Sequence, residues 1–105
     1  MDLDLVLRAL AEPHRREILR LVHSSELPVA GIADRIRDVS RAAISQHLRV
    51  LSDAGLLVQR RDGRQRYYRA RRKHITELRR YVDLFWVDRL DALKFSAERE
   101  ERRPR

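Results

Sequence analysis

The chain has 105 residues, 38% of them charged and only 6% aromatic, with a formal net charge of +8 and a sequence pI of about 11.1. That length fits one domain, and so positive a charge favours an anionic partner, either nucleic acid or a membrane surface. There is no cysteine, so disulfides, thiolate metal sites and thiol redox switches are excluded.

The N-terminus begins Met1-Asp2-Leu3-Asp4, acidic where a signal peptide would be basic. Leu84-Phe85-Trp86-Val87 is the longest apolar run, far short of a membrane span. A soluble cytoplasmic protein is expected. Leu3, Val6, Leu7 and Leu10 recur at helical spacing and predict a short first helix that ends before Pro13. Pro13 suits the first position of a second helix, where a missing N–H costs little. Ile18, Leu19 and Val22 give that helix its apolar side, and Ser24, Ser25 and Pro28 close it with a loop. Val29, Ile32, Ala33 and Ile36 then predict a third helix finishing near Arg37.

About three residues separate it from a fourth helix. Ser40 is a good N-cap because its hydroxyl can accept an orphan backbone N–H. Ile44, Leu48 and Leu51 form the apolar stripe, and Gly55 suits the left-handed position just past the end. The period then changes to that of strands, over Leu56–Arg60 and Gln65–Arg69, with the turn signal Asp62-Gly63 between them. From His74 a long helix follows through Ile75, Leu78, Val82, Phe85, Trp86, Leu90 and Leu93, and a charged tail over 97–105 is expected to fray.

Two short helices joined by a tight turn make a helix–turn–helix, whose second helix enters the major groove by its N-terminal end. The apolar stripe leaves Arg41, Ala42, Ser45, Gln46 and Arg49 facing outward, and together with Ser40 and His47 they are the expected DNA-contacting set of the helix. Gln pairs with adenine and Arg with guanine in the major groove, Ser donates to bases or phosphates, and Ala42 suits a thymine methyl. An ordinary solvated helix face would show the same outward set. The hairpin decides between the two. From Leu57 to Lys73 eight cations face Asp62 alone, a net +7 of the chain's +8. A solvated surface intersperses its signs, and a membrane-surface reading needs a basic helix rather than a hairpin. Arg60, Arg61, Arg64, Gln65 and Arg66 are therefore the expected phosphate-gripping wing.

Leu10-Ala11-Glu12-Pro13-His14-Arg15-Arg16-Glu17-Ile18-Leu19, Ser40 to Leu51, Ala54-Gly55-Leu56-Leu57 and Gly63-Arg64-Gln65-Arg66-Tyr67-Tyr68 resemble the ArsR/SmtB-type bacterial repressors over about Leu5 to Leu93. The resemblance implies a mainly α fold with a small β-hairpin, a winged helix–turn–helix of order α-α-α-α-β-β-α, dimerising through its first and last helices. It implies a homodimer that binds a double-stranded operator and releases it on a signal. Residues 1–96 would form the DNA-binding and dimerisation domain. Leu3, Val6, Leu10, Tyr81, Phe85, Trp86 and Leu90 are the expected dimer interface; adjacent Phe85 and Trp86 point apart, so one faces a partner. Helix fold-back over its own core is the alternative.

The family's cysteine metal site is absent: Glu26-Leu27-Pro28-Val29-Ala30-Gly31 stands where thiolates would be needed. Its last-helix site is not met either, because Asp83, Asp88 and Asp91 have only His74 with them. His14 and His23 fall on different faces of one helix. His47 matches the family's usual histidine in the recognition helix and is read as structural or phosphate-facing. No metal, cofactor or catalytic site is expected; Ser45 and His47, two apart on a helix, point in different directions. The competing functions are a non-specific architectural DNA-binding protein and a winged-helix protein-interaction module, the latter requiring apolar residues on the outward face of the fourth helix.

Overall fold

The computed structural model describes residues 1–85. Its elements are α1 (Leu3–Leu10), α2 (Pro13–Ser24), β1 (Leu27–Pro28), α3 (Val29–Arg35), α4 (Arg41–Asp53), β2 (Leu57–Asp62) and β3 (Gln65–Ala70). Residues 72–85 are also helical and are labelled α5. The chain divides into two compact units, Met1–Ile75 and Thr76–Arg105, and each is described by itself. No helix among the described residues is long and apolar enough to cross a membrane.

In the first unit, one apolar side of each helix meets in a single core. Val6, Ile18, Val22, Ile32, Ile44, Leu48, Leu51 and Leu56 are all at most 1% exposed, at the spacings that their helical periods require. The junction between α1 and α2 is held by polar groups. The Asp2 carboxylate accepts from Leu5 N–H at the start of α1. At its end, Arg15 Nε donates to Ala9 O (2.6 Å) and Arg16 donates to Leu10 O (2.7 Å), so two arginines satisfy carbonyls that have no partner within the helix.

The third helix is shorter than its apolar spacing suggests. It stops at Arg35, and Ile36 is extended, with φ −121° and ψ 91°. Ile36 is nonetheless buried: periodicity marks which positions reach the core, and a residue just past a helix end can reach it too. Five residues therefore join α3 to α4. Ser40 caps α4 as expected, its hydroxyl accepting from Ala43 N–H at 3.1 Å.

The sheet has three antiparallel strands in the order β1-β3-β2. β1, unforeseen in the sequence, is two residues long and pairs Leu27 with Tyr68 and Pro28 with Tyr67. The hairpin is longer and its turn tighter than expected. Asp62 pairs with Gln65, leaving Gly63-Arg64 as a two-residue loop. Gly63 has φ +63°, which puts the glycine at the first loop position as type II′ hairpins require.

Gly55 also has positive φ, +79°, where α4 gives way to β2. A Cβ there would lie 3.1 Å from His74 Nδ1, and that same ring nitrogen bonds the Gly55 carbonyl oxygen. Gly55→Ala is expected to cost about 1–2 kcal/mol from the left-handed backbone, with the displaced imidazole adding to it. Thermal denaturation of the two proteins checks this.

In the second unit, Tyr81 and Phe85 stack edge to face, with centroids 5.2 Å apart. Leu84 and Phe85 are 64% and 61% exposed. Trp86, Leu90, Leu93 and the predicted tail over 97–105 lie outside the described residues.

Candidate nucleic-acid interface

Helix α4 divides cleanly into two sides. Ile44, Leu48 and Leu51 are buried, while Ser40, Arg41, Ala42, Ser45, Gln46 and Arg49 are exposed. The outward set is polar or basic apart from Ala42.

The wing stands beside it. Residues opposite each other in an antiparallel pair lie on the same face. One face therefore carries Leu57, Tyr68 and Ala70, all buried, and continues outward to Gln59 and then to Arg61 opposite Arg66. Like charges directly opposite are destabilising. An anion between or beside them removes that penalty. A cleft lined by Pro28, Val29, Ala30, Arg41, Arg64, Gln65, Arg66 and Tyr68 joins the N-terminal end of α4 to the wing tip. Three arginines, from α4, the hairpin turn and β3, thus line one concave surface. Such a surface is suited to the phosphates that flank a helix in the major groove.

Arg60 has a different place from that expected of it. Its Nε and Nη2 both donate to Glu26 Oε1, at 3.0 and 2.6 Å, and its guanidinium lies 4.8 Å from the centre of the Tyr67 ring. The pairing holds the Glu26 carboxyl below the ordinary range and raises Arg60. Arg60 therefore ties the wing to the residue before β1, whereas Arg61, Arg64, Gln65 and Arg66 remain exposed with no ion pair among the described residues. Gln59 fixes the base of the wing to α4 by donating to the Ser52 hydroxyl at 3.1 Å.

His47 faces inward instead of joining the outward set. Its side chain is 16% exposed, its Nδ1 is buried without a hydrogen-bond partner, and its ring stacks on His14 at 6.0 Å. His14 lies between two carboxylates, Nδ1 at 2.9 Å from Glu12 Oε1 and Nε2 at 2.8 Å from Asp38 Oδ2. Asp38 and then Glu12 raise the imidazole above the ordinary histidine range, and His14 lowers Asp38 in return. Burial acts to raise the Glu12 carboxyl, but the Arg15 amide and the His14 ring outweigh it and hold it below its usual value. Spacing within α2 sets His14 against His23 and suggests no convergent donors; its actual partners come from the residue before the helix, from Asp38 in the turn before α4 and from His47 of α4. Only the three-dimensional path of the chain brings these together.

The expected dimer residues are mixed in placement. Leu3, Leu10 and Tyr81 are half-buried and Phe85 is exposed, but Val6 is fully buried within its own protomer. On α1 it is Leu5 and Leu7, at 45% and 42%, that face outward.

The helix-turn-helix domain family matches residues 10–60. The HTH-type transcriptional regulator Rv2034 of Mycobacterium tuberculosis is 39% identical over 80 residues, covering 76% of this chain and 74% of its own. A crystal structure described as a possible transcriptional regulator for arsenical resistance superposes with a TM-score of 0.70 at 47% identity, over 86% of this chain and 93% of that one. An ArsR-like transcriptional regulator from Rhodococcus sp. RHA1 gives 0.71 at 33% identity, over 91% and 90%.

Proposed function

Since the chain belongs to the ArsR/SmtB family of winged helix–turn–helix transcriptional regulators, we propose that it is a homodimeric cytoplasmic repressor of a palindromic operator. In this reading α4 enters the major groove, Arg41, Ser45, Gln46 and Arg49 meet base edges, and Arg61, Arg64 and Arg66 follow the phosphate backbone. The observation that carries it is the cleft in which Arg41 of the helix and Arg64 and Arg66 of the wing converge. No catalytic step is part of this function.

Residues 1–96 act as one DNA-binding and dimerisation domain. Exposed Leu5 and Leu7 on α1, and Leu84 and Phe85 on α5, supply apolar surface for a partner copy. A two-fold dimer would place its half-sites one helical turn apart, about 10–10.5 base pairs or a multiple of it.

Footprinting with DNase on the promoter of the protein's own gene tests this. Two protected half-sites at that spacing are expected. Gln46→Ala is expected to weaken binding by about 1–3 kcal/mol at the operator and to relax preference at one base pair per half-site. Equal protection of operator and random DNA by the unaltered protein would refute sequence-specific recognition.

A further inference from the structure

Glu12, His14 and His47 are the one group of three metal-ligating side chains that come together among the described residues; one donor atom from each lies within 4.8 Å of the others. We propose that these three residues bind a zinc-type divalent cation, with Asp38 supporting His14 from behind. No residue of the DNA-facing surface is needed for it.

The donor set suits such an ion. Two imidazoles and one carboxylate, without thiolate, match zinc and its borderline neighbours, and three protein ligands leave a fourth tetrahedral position for water or another small donor. At metal–ligand distances of about 2.0–2.2 Å, tetrahedral donors stand roughly 3.4 Å apart. Glu12 Oε1 stands 2.9 Å from His14 Nδ1, and one donor from each of the three residues lies within 4.8 Å of the others, so small side-chain shifts reach that spacing.

Three further features distinguish the group from a chance cluster. His47 Nδ1 is a buried ring nitrogen with no hydrogen-bond partner, and a buried polar atom left unpaired is costly. A cation would use that lone pair. His14 has carboxylates at both ring nitrogens, and a metal-bound imidazole keeps one N–H to donate. With a cation on Nδ1, that single proton serves Nε2 and Asp38, the carboxylate–histidine arrangement that usually backs a metal ligand. Glu12 has two carboxylate oxygens, so one can keep accepting from Arg15 N–H at the start of α2 while the other meets the ion.

The site joins the N-terminus of α2, the turn before α4 and the middle of α4 itself. A cation there would fix how the recognition helix is seated on α2. This differs from a sensor on the last helix, because the ligands come from the start of α2 and from α4.

Calorimetric titration of the full chain with zinc chloride tests the proposal. One zinc per chain is expected. His14→Gln and His47→Gln should each weaken binding by at least about 10-fold, and Asp38→Asn by about 10–100-fold, the usual effect of removing an outer partner. His23→Gln should leave it unchanged. No zinc uptake by the unaltered protein, or uptake that survives the combined His14→Gln and His47→Gln change, overturns the proposal. X-ray absorption at the zinc edge needs no variant at all: two imidazole ligands support the assignment, and a shell without histidine refutes it.

Discussion

Replacing Arg64 and Arg66 together by alanine is expected to lower affinity for operator and random DNA alike, by about 50–100-fold at 0.1 M salt. Each phosphate contact contributes about 0.9 to the slope of log affinity against log salt concentration. Removing two should make the slope shallower by about 1.8, and filter binding across a salt series measures it. The loss should be nearly uniform over sequences, in contrast to the base-selective loss from Gln46→Ala. Folding stability should not fall, because both side chains are exposed and Arg66 stands opposite Arg61, so its removal relieves a repulsion. A variant with an unchanged salt slope would show that the phosphates are gripped elsewhere.

The two sides of α4 and the basic hairpin are legible in the sequence, because both depend on local rules. The stripe Ile44, Leu48 and Leu51 decides which side of α4 is buried, and the charge excess after Leu57 marks the wing without reference to any other segment. Ser40 and Gly55 serve as cap and left-handed terminator by their own chemistry, and the structure gives them those places.

What was not readable depends on residues distant in the chain. β1 is two residues long and includes a proline, too short for any alternation to register, and it exists because β3 offers it an edge. The pairing of Arg60 with Glu26 crosses 34 positions. From charge alone Arg60 counts as one more cation, and only the sheet shows that its charge is already matched. The group formed by Glu12, His14, Asp38 and His47 likewise draws on three segments. The hairpin turn differs from expectation for another reason: Asp62-Gly63 is a strong signal for a turn, but both loop registers around it satisfy the same residues, and the strand pairing selects the tighter one.

Ile44→Ala is expected to produce a large loss of stability. Ile44 is fully buried, and emptying such a site costs about 2–5 kcal/mol out of a total of roughly 5–15 kcal/mol for a domain. At about 4–8 °C per kcal/mol for a domain of this size, the melting temperature should fall by about 8–40 °C. Calorimetry measures both quantities. Ile44 lies in the first turn of α4, immediately beneath the residues assigned to the DNA, so binding should decline with the folded fraction. If DNA affinity fell while the melting temperature held, Ile44 would have a direct role at the interface that its burial does not predict.

The clean division of α4 has a consequence for descent with modification. Its outward residues Arg41, Ala42, Ser45, Gln46 and Arg49 add nothing to the core, and substitutions at such positions usually change stability by less than about 0.5 kcal/mol. They can therefore be exchanged almost without regard to folding. The inward residues Ile44, Leu48 and Leu51, with His47 held against α2, have no such freedom. On the proposed docking, gene copies carrying this helix can acquire new target sites one outward residue at a time, with the scaffold inherited intact.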